Sequence, residues 1–567
     1  MKWHGWGGEG LAFDPIGRPN LWPYARKHLG IDPGRPLRRP VALEGIVLPA
    51  IRPHPAFRVE VDRLIPAGRR SESPMDRLLH AYGKSTRDLW RIRHGQVTFA
   101  PDLVVFPENE DEVVRLLEAA CRHDVIVVPF GGGSNVAGCL EVRRPESRFV
   151  MTVNMRGMNR ILSIDSQAGT ARVQPGIMGP DLEKGLNAAG LTFGHFPDSF
   201  PYSTLGGWIA TRSSGMLSDR YGNPEDRLLS LRMATPAGMV VTRDIPHGSN
   251  GPDPNRFCIG SEGTLGILTE ITVCVDRQPK CREFRGYLFP DFESGLEAIH
   301  AALRDGSAPA LTRLNDPDKT QLSSAFRRKG NWLGECAARA FKTYQSKVRG
   351  IDFGRAALMI AAFEGDGGRI RRQRRDAEAQ YRRFGGIALG RGPGESFAEG
   401  KFDFPYIRDF LMDHDVLVDV AETSTTWTRL LPLYRTAMAT YREALGRDGR
   451  PYWLGCHVSH TYPAGASLYF SFAFRCVVDA GGDVDPDAEL AYYATVKKAG
   501  LDCFAAHGAT LSHHHAVGYE HLPWLYAESP VGPGTAVDAL KATLDPTGIM
   551  NPGKLTVTSG PSQGDVS

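Results

Sequence analysis

The sequence predicts an α+β fold of two domains behind a helical N-terminal extension. Three observations predict it. A βαβ unit starts at Pro101, with DLVVFP and VIVVPF as short apolar strands around ENEDEVVRLLEAACRHD, an amphipathic helix with acids in its first turn. Short strands joined by turns follow in FVMTVNM, ILSIDSQAGTARVQPG and LSLRMATPAGMVVTR, ending near ITVCVDRQP at about Arg277. The pattern is then renewed from GYLFPDF. These shifts divide the chain into an extension at 1–98, a first domain at 99–277, a second at 278–505, and a C-terminal segment at 506–567 that returns to the first domain.

Within the extension, SPMDRLLHAYGKSTRDLWRIRHG carries one helical pattern, with apolar positions recurring at three and four. The extension is expected to pack on the first domain; Trp3, Trp6 and its arginines are also compatible with peripheral membrane contact. The second domain reads as a helix from about Glu293 to Arg304, strands PALTRLND and ALMIAAFEGD, the helix LLPLYRTAMATYREALG and the strand ASLYFSFAFRCVV. In that last strand Ser467, Tyr469 and Ser471 face one way and Leu468, Phe470 and Phe472 the other, so the polar face points to a cavity. The chain closes with HLPWLYAESP, a helix through AVDALKATLD and the coil PTGIMNPGKL.

Bulk composition excludes several classes. Sixty-seven Lys plus Arg against 64 Asp plus Glu leave a formal charge of +3, too balanced for a nucleic-acid binder, so an anionic partner must meet a local basic site. Nine cysteines without a CxxC pair indicate neither a disulfide framework nor a zinc ribbon. No secretory signal, membrane-length apolar run or peroxisomal signal in GPSQGDVS is read, which points to a cytoplasmic protein, at most peripheral to a membrane. A homodimer is compatible with this composition, which does not itself set the oligomeric state.

Three segments have the character of a phosphate-binding site. PFGGGSNVAG, Pro129 to Gly138, follows an apolar strand at once, and its three glycines let backbone N–H groups approach a phosphate without a Cβ in the way. PDSFPYSTLGGWIATRSSG adds the hydroxyls of Ser199, Ser203, Thr204, Thr211, Ser213 and Ser214, with Arg212 as a charge partner. GSEGTLGILTEITV places Gly260, Gly263 and Gly266 in a tight turn before a strand. The glycines read GGGSN and not G-x-G-x-x-G, which disfavours a nicotinamide site.

These blocks resemble the FAD-binding domain of the vanillyl-alcohol oxidase and p-cresol methylhydroxylase relatives. The resemblance implies a two-subdomain PCMH-type FAD-binding domain, an α/β cap domain for the substrate, and three loops around the FAD diphosphate and isoalloxazine. It assigns to FAD Pro129, Phe130, Gly131, Gly132, Gly133, Ser134 and Asn135 from the first loop. From the second it assigns Asp198, Ser199, Phe200, Pro201, Tyr202, Ser203, Thr204, Thr211, Arg212, Ser213 and Ser214, and from the third Glu262, Gly263, Thr264, Leu265, Gly266, Ile267 and Leu268. Non-covalent FAD is expected; His195 in FGHFPDS is the nearest candidate for a covalent link.

A finer resemblance spans nearly the whole chain. MKWHGWG, GHFPDSFPYSTLGGW, YGNPEDRL, FEGD, YIRD, AETS, LYFSFAF and SHHHAVG follow the order of the alkyldihydroxyacetonephosphate synthase family, whose flavoenzymes make the ether bond of ether lipids. The resemblance makes Arg408 in YIRD the phosphate-binding arginine, Tyr469 the acid/base tyrosine and Arg313 in LTRLND a further essential arginine. A guanidinium is a bidentate partner for a phosphate monoester, and a phenol beside cationic groups gains acidity. Without a ligand, Arg408 would cap a helix or pair with Asp409. His513, His514 and His515 match the family's active-site triple histidine; in an extended strand His514 would face away from the other two, so no metal is expected.

The implied substrates are an acyl dihydroxyacetone phosphate and a fatty alcohol. The implied reaction removes a proton from C1 by a base near Tyr469, passes through an adduct at flavin N5, releases the fatty acid, and admits the alcohol at the same carbon with no net oxidation. Four features depart from the family's animal pattern: Val420 stands at a serine position, His457 replaces an arginine, Ala516 replaces glycine, and IMNPGKL resembles redox members such as D-lactate dehydrogenases. They keep open an FAD-linked dehydrogenase or oxidase of a hydroxy acid or phosphorylated alcohol. A non-catalytic flavin-fold binder is disfavoured by the residue types at Arg313, Arg408, Tyr469 and the histidines.

Overall fold

A computed structural model describes residues 2–143, 147–328, 347, 350–528 and 536–556 of the chain. In the first domain a small sheet runs in the order 70–71, 103–105, 150–154, 126–130, its last three strands parallel. The parallel pairing requires a crossover, and the helix Glu110–His123 supplies it. Asn109 caps that helix by accepting from Glu112 N at 2.9 Å, and Glu110, Asp111 and Glu112 occupy its first turn. Its apolar face, Val113, Leu116, Leu117 and Ala120, packs on Val105, Val127 and Val153. The C-terminal coil joins the edge of this sheet: Val127 N donates to Ile549 O and Asn551 N to Val127 O, both at 2.9 Å.

Beside it lies a five-stranded antiparallel sheet in the order 161–165, 170–173, 267–274, 228–235, 238–241. The second domain is built on a seven-stranded antiparallel sheet in the order 387–390, 281–289, 357–365, 311–315, 452–462, 465–475, 416–426. Helices Phe292–Arg304, Gly367–Arg383, Trp427–Gly446 and Pro486–Ala506 cover one face. Leu314, Leu468, Phe470 and Phe472 point into that layer without exposure, while Arg313, Tyr469 and Ser471 take the opposite face, as the alternation in the sequence requires.

Two features of the extension differ from the sequence reading. The pattern at 73–95 is two helices, Pro74–Leu79 and Thr86–Arg93. The break lies at Gly83, where an added Cβ would sit 2.3 Å from Asn135 O, and Lys84 N donates to the same oxygen at 2.6 Å. Ser85 then caps the second helix by accepting from Asp88 N at 3.0 Å. Nor does the extension pack on the first domain alone. Phe57, Val61 and Ile65 join the core of the small sheet, but Ala25, Leu29 and Ile31 pack on Val416, Trp453 and Ala473 of the second domain, and Trp453 donates its indole N–H to Tyr24 Oη at 2.7 Å. GPSQGDVS lies outside the described residues. Among the described residues the cysteines are free and no helix is long and apolar enough to cross a membrane.

The helices Trp427–Gly446 and Pro486–Ala506 cross at Gly500, where an added Cβ would sit 1.8 Å from Tyr441 Oη. Gly500→Ala therefore costs about 1–3 kcal/mol by overpacking. Thermal denaturation is expected to show a lowered midpoint; an unchanged midpoint would contradict this packing.

Candidate functional site

The exposed face of the seven-stranded sheet and the three glycine-rich loops of the first domain enclose a cavity of about 1270 Å³. Every strand of that sheet contributes: Ala388, Leu288, Ile360, Arg313, His457, Tyr469 and Val420 come one from each. The N-terminal residues complete the wall with Trp6, Phe13, Arg18, Leu21, Tyr24 and Ala25, a role the sequence reading did not assign to the extension.

The glycine loops close on one another. A Cβ at Gly131 would lie 2.4 Å from Thr204 Oγ1, and one at Gly132 would lie 2.0 Å from Tyr202 O and 2.9 Å from Ser203 Cα; Gly133 takes φ +68°. Pro129, Phe130, Ser134, Asn135, Asp198, Ser199, Ser203, Thr204, Thr211, Ser213, Ser214, Glu262, Gly263, Gly266, Ile267 and Leu268 line the cavity with these glycines. Open backbone, hydroxyls and the absence of Cβ atoms fit the diphosphate of a dinucleotide.

The remaining residues assigned to this site from the sequence sit behind the wall. Arg212, at φ +51° after the helix Leu205–Thr211, turns outward and pairs with Glu225 at 3.0 Å, so it is not the phosphate's charge partner. Phe200 stacks between Trp208 and Phe402, and Tyr202 Oη accepts from Gly8 N at 3.1 Å, with Pro201 in the same turn. Thr264 donates to Ser261 O at 2.8 Å, and Leu265 is core. His195 is also buried off the wall, its Nε2 2.9 Å from Ser213 Oγ, and burial pushes its pKa down to about 3.

At the other end of the cavity the charged side chains gather. Arg313 stands between the rings of Phe404 and Phe397, 5.0 and 5.6 Å from their centroids, and makes no hydrogen bond or ion pair among the described residues. Arg408 is only loosely paired with Asp409, at 3.9 Å. Its Nη1 donates to Lys84 O, while Nε and Nη2 are buried without a hydrogen-bond acceptor. Burial lowers the pKa of both guanidinium groups, and an anion would restore what desolvation removes.

Tyr469 departs from the expected acidic phenol. Burial, with Asp198 and Glu422 adding to it, pushes its pKa well above 10 despite Arg313, so it is a neutral donor. The neighbouring imidazoles are neutral for a related reason: burial takes His457 and His513 well below their usual value and His515 to about 3. Residues 513–515 form a bend and not a strand, so His514 does not face away from its two neighbours: its ring nitrogens come close to those of His513 and of His515. Three successive N–H groups converge on the buried Glu422 carboxylate, at 3.1, 2.6 and 2.8 Å from His513, His514 and His515. His514 and His515 line the cavity, whereas His513 sits behind, its Nε2 2.6 Å from Tyr462 Oη and its ring stacked on His460 at 5.1 Å.

Sequence reading missed Glu422, Lys319 and His460. Glu422 shares the parity of Val418 and Val420, which face the cavity, and that signal was available. Lys319, on the helix Pro317–Ala325, offered none: its Nζ meets His457 Nδ1 at 2.6 Å only through tertiary packing, and burial with Arg313 nearby lowers its pKa. Of the departures noted in the sequence, Val420 lines the cavity, His457 is held by Lys319, and Ala516 takes φ +72°, a backbone region that favours glycine.

Gly132→Ala should purify without its flavin, because the new Cβ meets backbone on two sides; a normal ratio of absorbance at about 450 nm to protein would exclude this loop as the cradle. The depressed imidazoles also set a pH dependence. His195, His515 and His521 bind protons in the unfolded chain below about pH 6.5 but not in the fold, so their contribution is present above that pH and lost as pH falls toward about 3–4, and His513 is shifted in the same direction. At pH 5 each contributes a loss of up to about 2 kcal/mol. The thermal midpoint should drop between pH 7 and 5; a flat profile would refute their neutrality.

Comparison with known proteins accords with this geometry. Residues 101–244 match the FAD binding domain family, and residues 278–555 match the C-terminal domain of FAD linked oxidases. The chain is 36% identical to alkyldihydroxyacetonephosphate synthase of Trypanosoma brucei brucei over 99% of its own length and 93% of the relative's. It is 39% identical to the synthase of Dictyostelium discoideum, over 91% of this chain and 83% of that one. A solved alkyldihydroxyacetonephosphate synthase superposes with a TM-score of 0.81 at 34% identity, covering 98% of this chain and 99% of that chain. p-Cresol methylhydroxylase superposes with a TM-score of 0.63 at 15% identity, which shows a shared fold. The chain binds FAD in a PCMH-type domain and belongs to the alkyldihydroxyacetonephosphate synthase family.

Proposed function

We propose that this protein exchanges the acyl group of an acyl dihydroxyacetone phosphate for a long-chain alcohol, forming the ether bond of an ether lipid. One observation carries the reading: an uncommitted guanidinium, Arg313, opens into a large cavity whose other walls include Leu21, Leu288, Leu322, Phe326 and Leu411. A charged headgroup and an aliphatic chain are both accommodated there, whereas a small hydroxy acid would leave most of the apolar surface uncovered.

FAD, which the three glycine-rich loops would hold, would supply an electrophilic centre for the carbon at which one oxygen substituent is exchanged for another. The chain's own residues do the rest. Arg313 and Arg408 hold the phosphate, with the buried N–H groups of Arg408 gaining the acceptor they lack. An imidazole of the cavity wall accepts the proton from C1. The neutral phenol of Tyr469 donates a hydrogen bond to the departing carboxylate oxygen. The C1–O bond to the acyl group breaks, the alcohol oxygen bonds to C1, the alcohol proton leaves with the fatty acid, and the C1 proton returns. Electrons balance without an external oxidant.

The test is anaerobic incubation of the yellow protein with palmitoyl dihydroxyacetone phosphate and hexadecanol. Ether product and fatty acid are expected in equal amounts with no net bleaching of the flavin. Absence of product, together with bleaching by a hydroxy acid or phosphorylated alcohol, would replace this reading with that of a dehydrogenase. Arg313→Met should raise KM for the acyl substrate about 10- to 100-fold, the worth of a charge-assisted hydrogen bond, while FAD content stays normal; an unchanged KM would remove Arg313 from the phosphate site.

A further inference from the structure

The loop that carries the histidines is suspended between the two domains by two carboxylates. From the second domain, Glu422 on the strand Val416–Thr426 directs Oε1 at the N–H groups of His513, His514 and His515. From the first, Glu262, at φ +51° within the third glycine loop, accepts Val517 N through Oε1 at 2.7 Å and Gly518 N through Oε2 at 2.9 Å. Ala516 lies between the two grips, and its carbonyl is 2.7 Å from His521 Nδ1. Glu262 thus serves the histidine loop with its carboxylate, whatever its backbone does for FAD.

Oε2 of Glu422 has a separate task. It lies within ion-pair distance of Nδ1 of His514 and, among the described residues, makes no other polar contact closer than His513 Nδ1, which is itself 3.0 Å from that His514 nitrogen. An ionised carboxylate only accepts, so the contact requires the proton on Nδ1 of His514. Where Nδ1 holds the single proton of the ring, Nε2 carries a lone pair. His514 lines the cavity, makes no hydrogen bond through Nε2 among the described residues, and stacks on the Tyr469 ring at 6.0 Å and 20°.

We propose that Glu422 is the positioning residue of this site: one oxygen fixes the backbone of His513, His514 and His515, and the other fixes the His514 tautomer so that Nε2 presents a lone pair to the substrate. The proposal rests on the ether-forming reading only for the role of that lone pair, not for its existence. Burial would raise the Glu422 carboxyl, but His514 beside it, more than any other neighbour, holds it well below the usual carboxylate range.

Glu422→Gln tests it directly. The amide oxygen still accepts the three backbone N–H groups, but the amide nitrogen donates to Nδ1 and reverses the tautomer. Ether formation should fall about 100-fold or more in kcat, the range of general acid–base effects, with KM and FAD content little changed. An unchanged kcat in flavin-replete Glu422→Gln would overturn the proposal, as would a loss confined to FAD binding and folding. A measurement on the wild-type holoenzyme is independent of activity and of that variant's folding. Nitrogen NMR of histidine-labelled protein, with His514→Asn identifying the signal, should show Nδ1 protonated and Nε2 bare. The opposite tautomer would overturn the proposal even if ether synthesis is confirmed; the expected tautomer without ether synthesis would leave the positioning intact and remove the substrate reading.

Discussion

An antiparallel sheet gives each strand two faces that alternate residue by residue, and this site depends on that alternation. Seven strands send one set of side chains into a layer of helices and the other into a shared cavity. Because the strands come from far apart in the chain, the period of two is what brings Arg313, His457 and Tyr469 to a common surface. The register then fixes neighbours: His457 and Tyr469 are paired residues on adjacent strands, with ring centroids 4.8 Å apart.

Enclosure has an electrostatic consequence. Closing the N-terminal segment and the glycine loops over the sheet removes water from two arginines, several imidazoles and a phenol. Each responds toward its neutral form, as desolvation dictates, whereas two carboxylates are driven the other way, Glu422 by the histidines around it and Asp419 by Lys497. The cavity is therefore rich in neutral acids and bases beside two cations in search of an anion. That combination suits a reaction that moves a proton to and from carbon while holding a phosphate.

The same enclosure couples the domains. The histidine loop is held by Glu422 on one side and Glu262 on the other, while Asn135 Nδ2 reaches His515 O at 3.3 Å from the first glycine loop. Separation of the domains would break contacts on both sides of the histidines. The segment therefore acts as a tie as well as a source of imidazoles, and Ala516 takes its left-handed conformation at the point between the two grips.

Local chemistry makes much of this legible in the amino-acid order. Three glycine-rich segments mark a dinucleotide site because only glycine lets backbone approach a phosphate so closely, and alternation places Tyr469 on the cavity face. Helical periodicity finds the elements but not the break at Gly83, since that break answers to Asn135, some fifty residues away. Arg212 looks like a phosphate ligand by residue type, yet its φ of +51° turns it outward to Glu225. Ionisation state lies furthest from reach: Tyr469, Lys319 and the histidines are set by burial and by partners that only packing supplies. The order of residues specifies the loops, the strand parity and the kinds of side chain available, but which of them share a dry cavity follows from packing, because desolvation and charge pairing depend on distances that no linear spacing encodes.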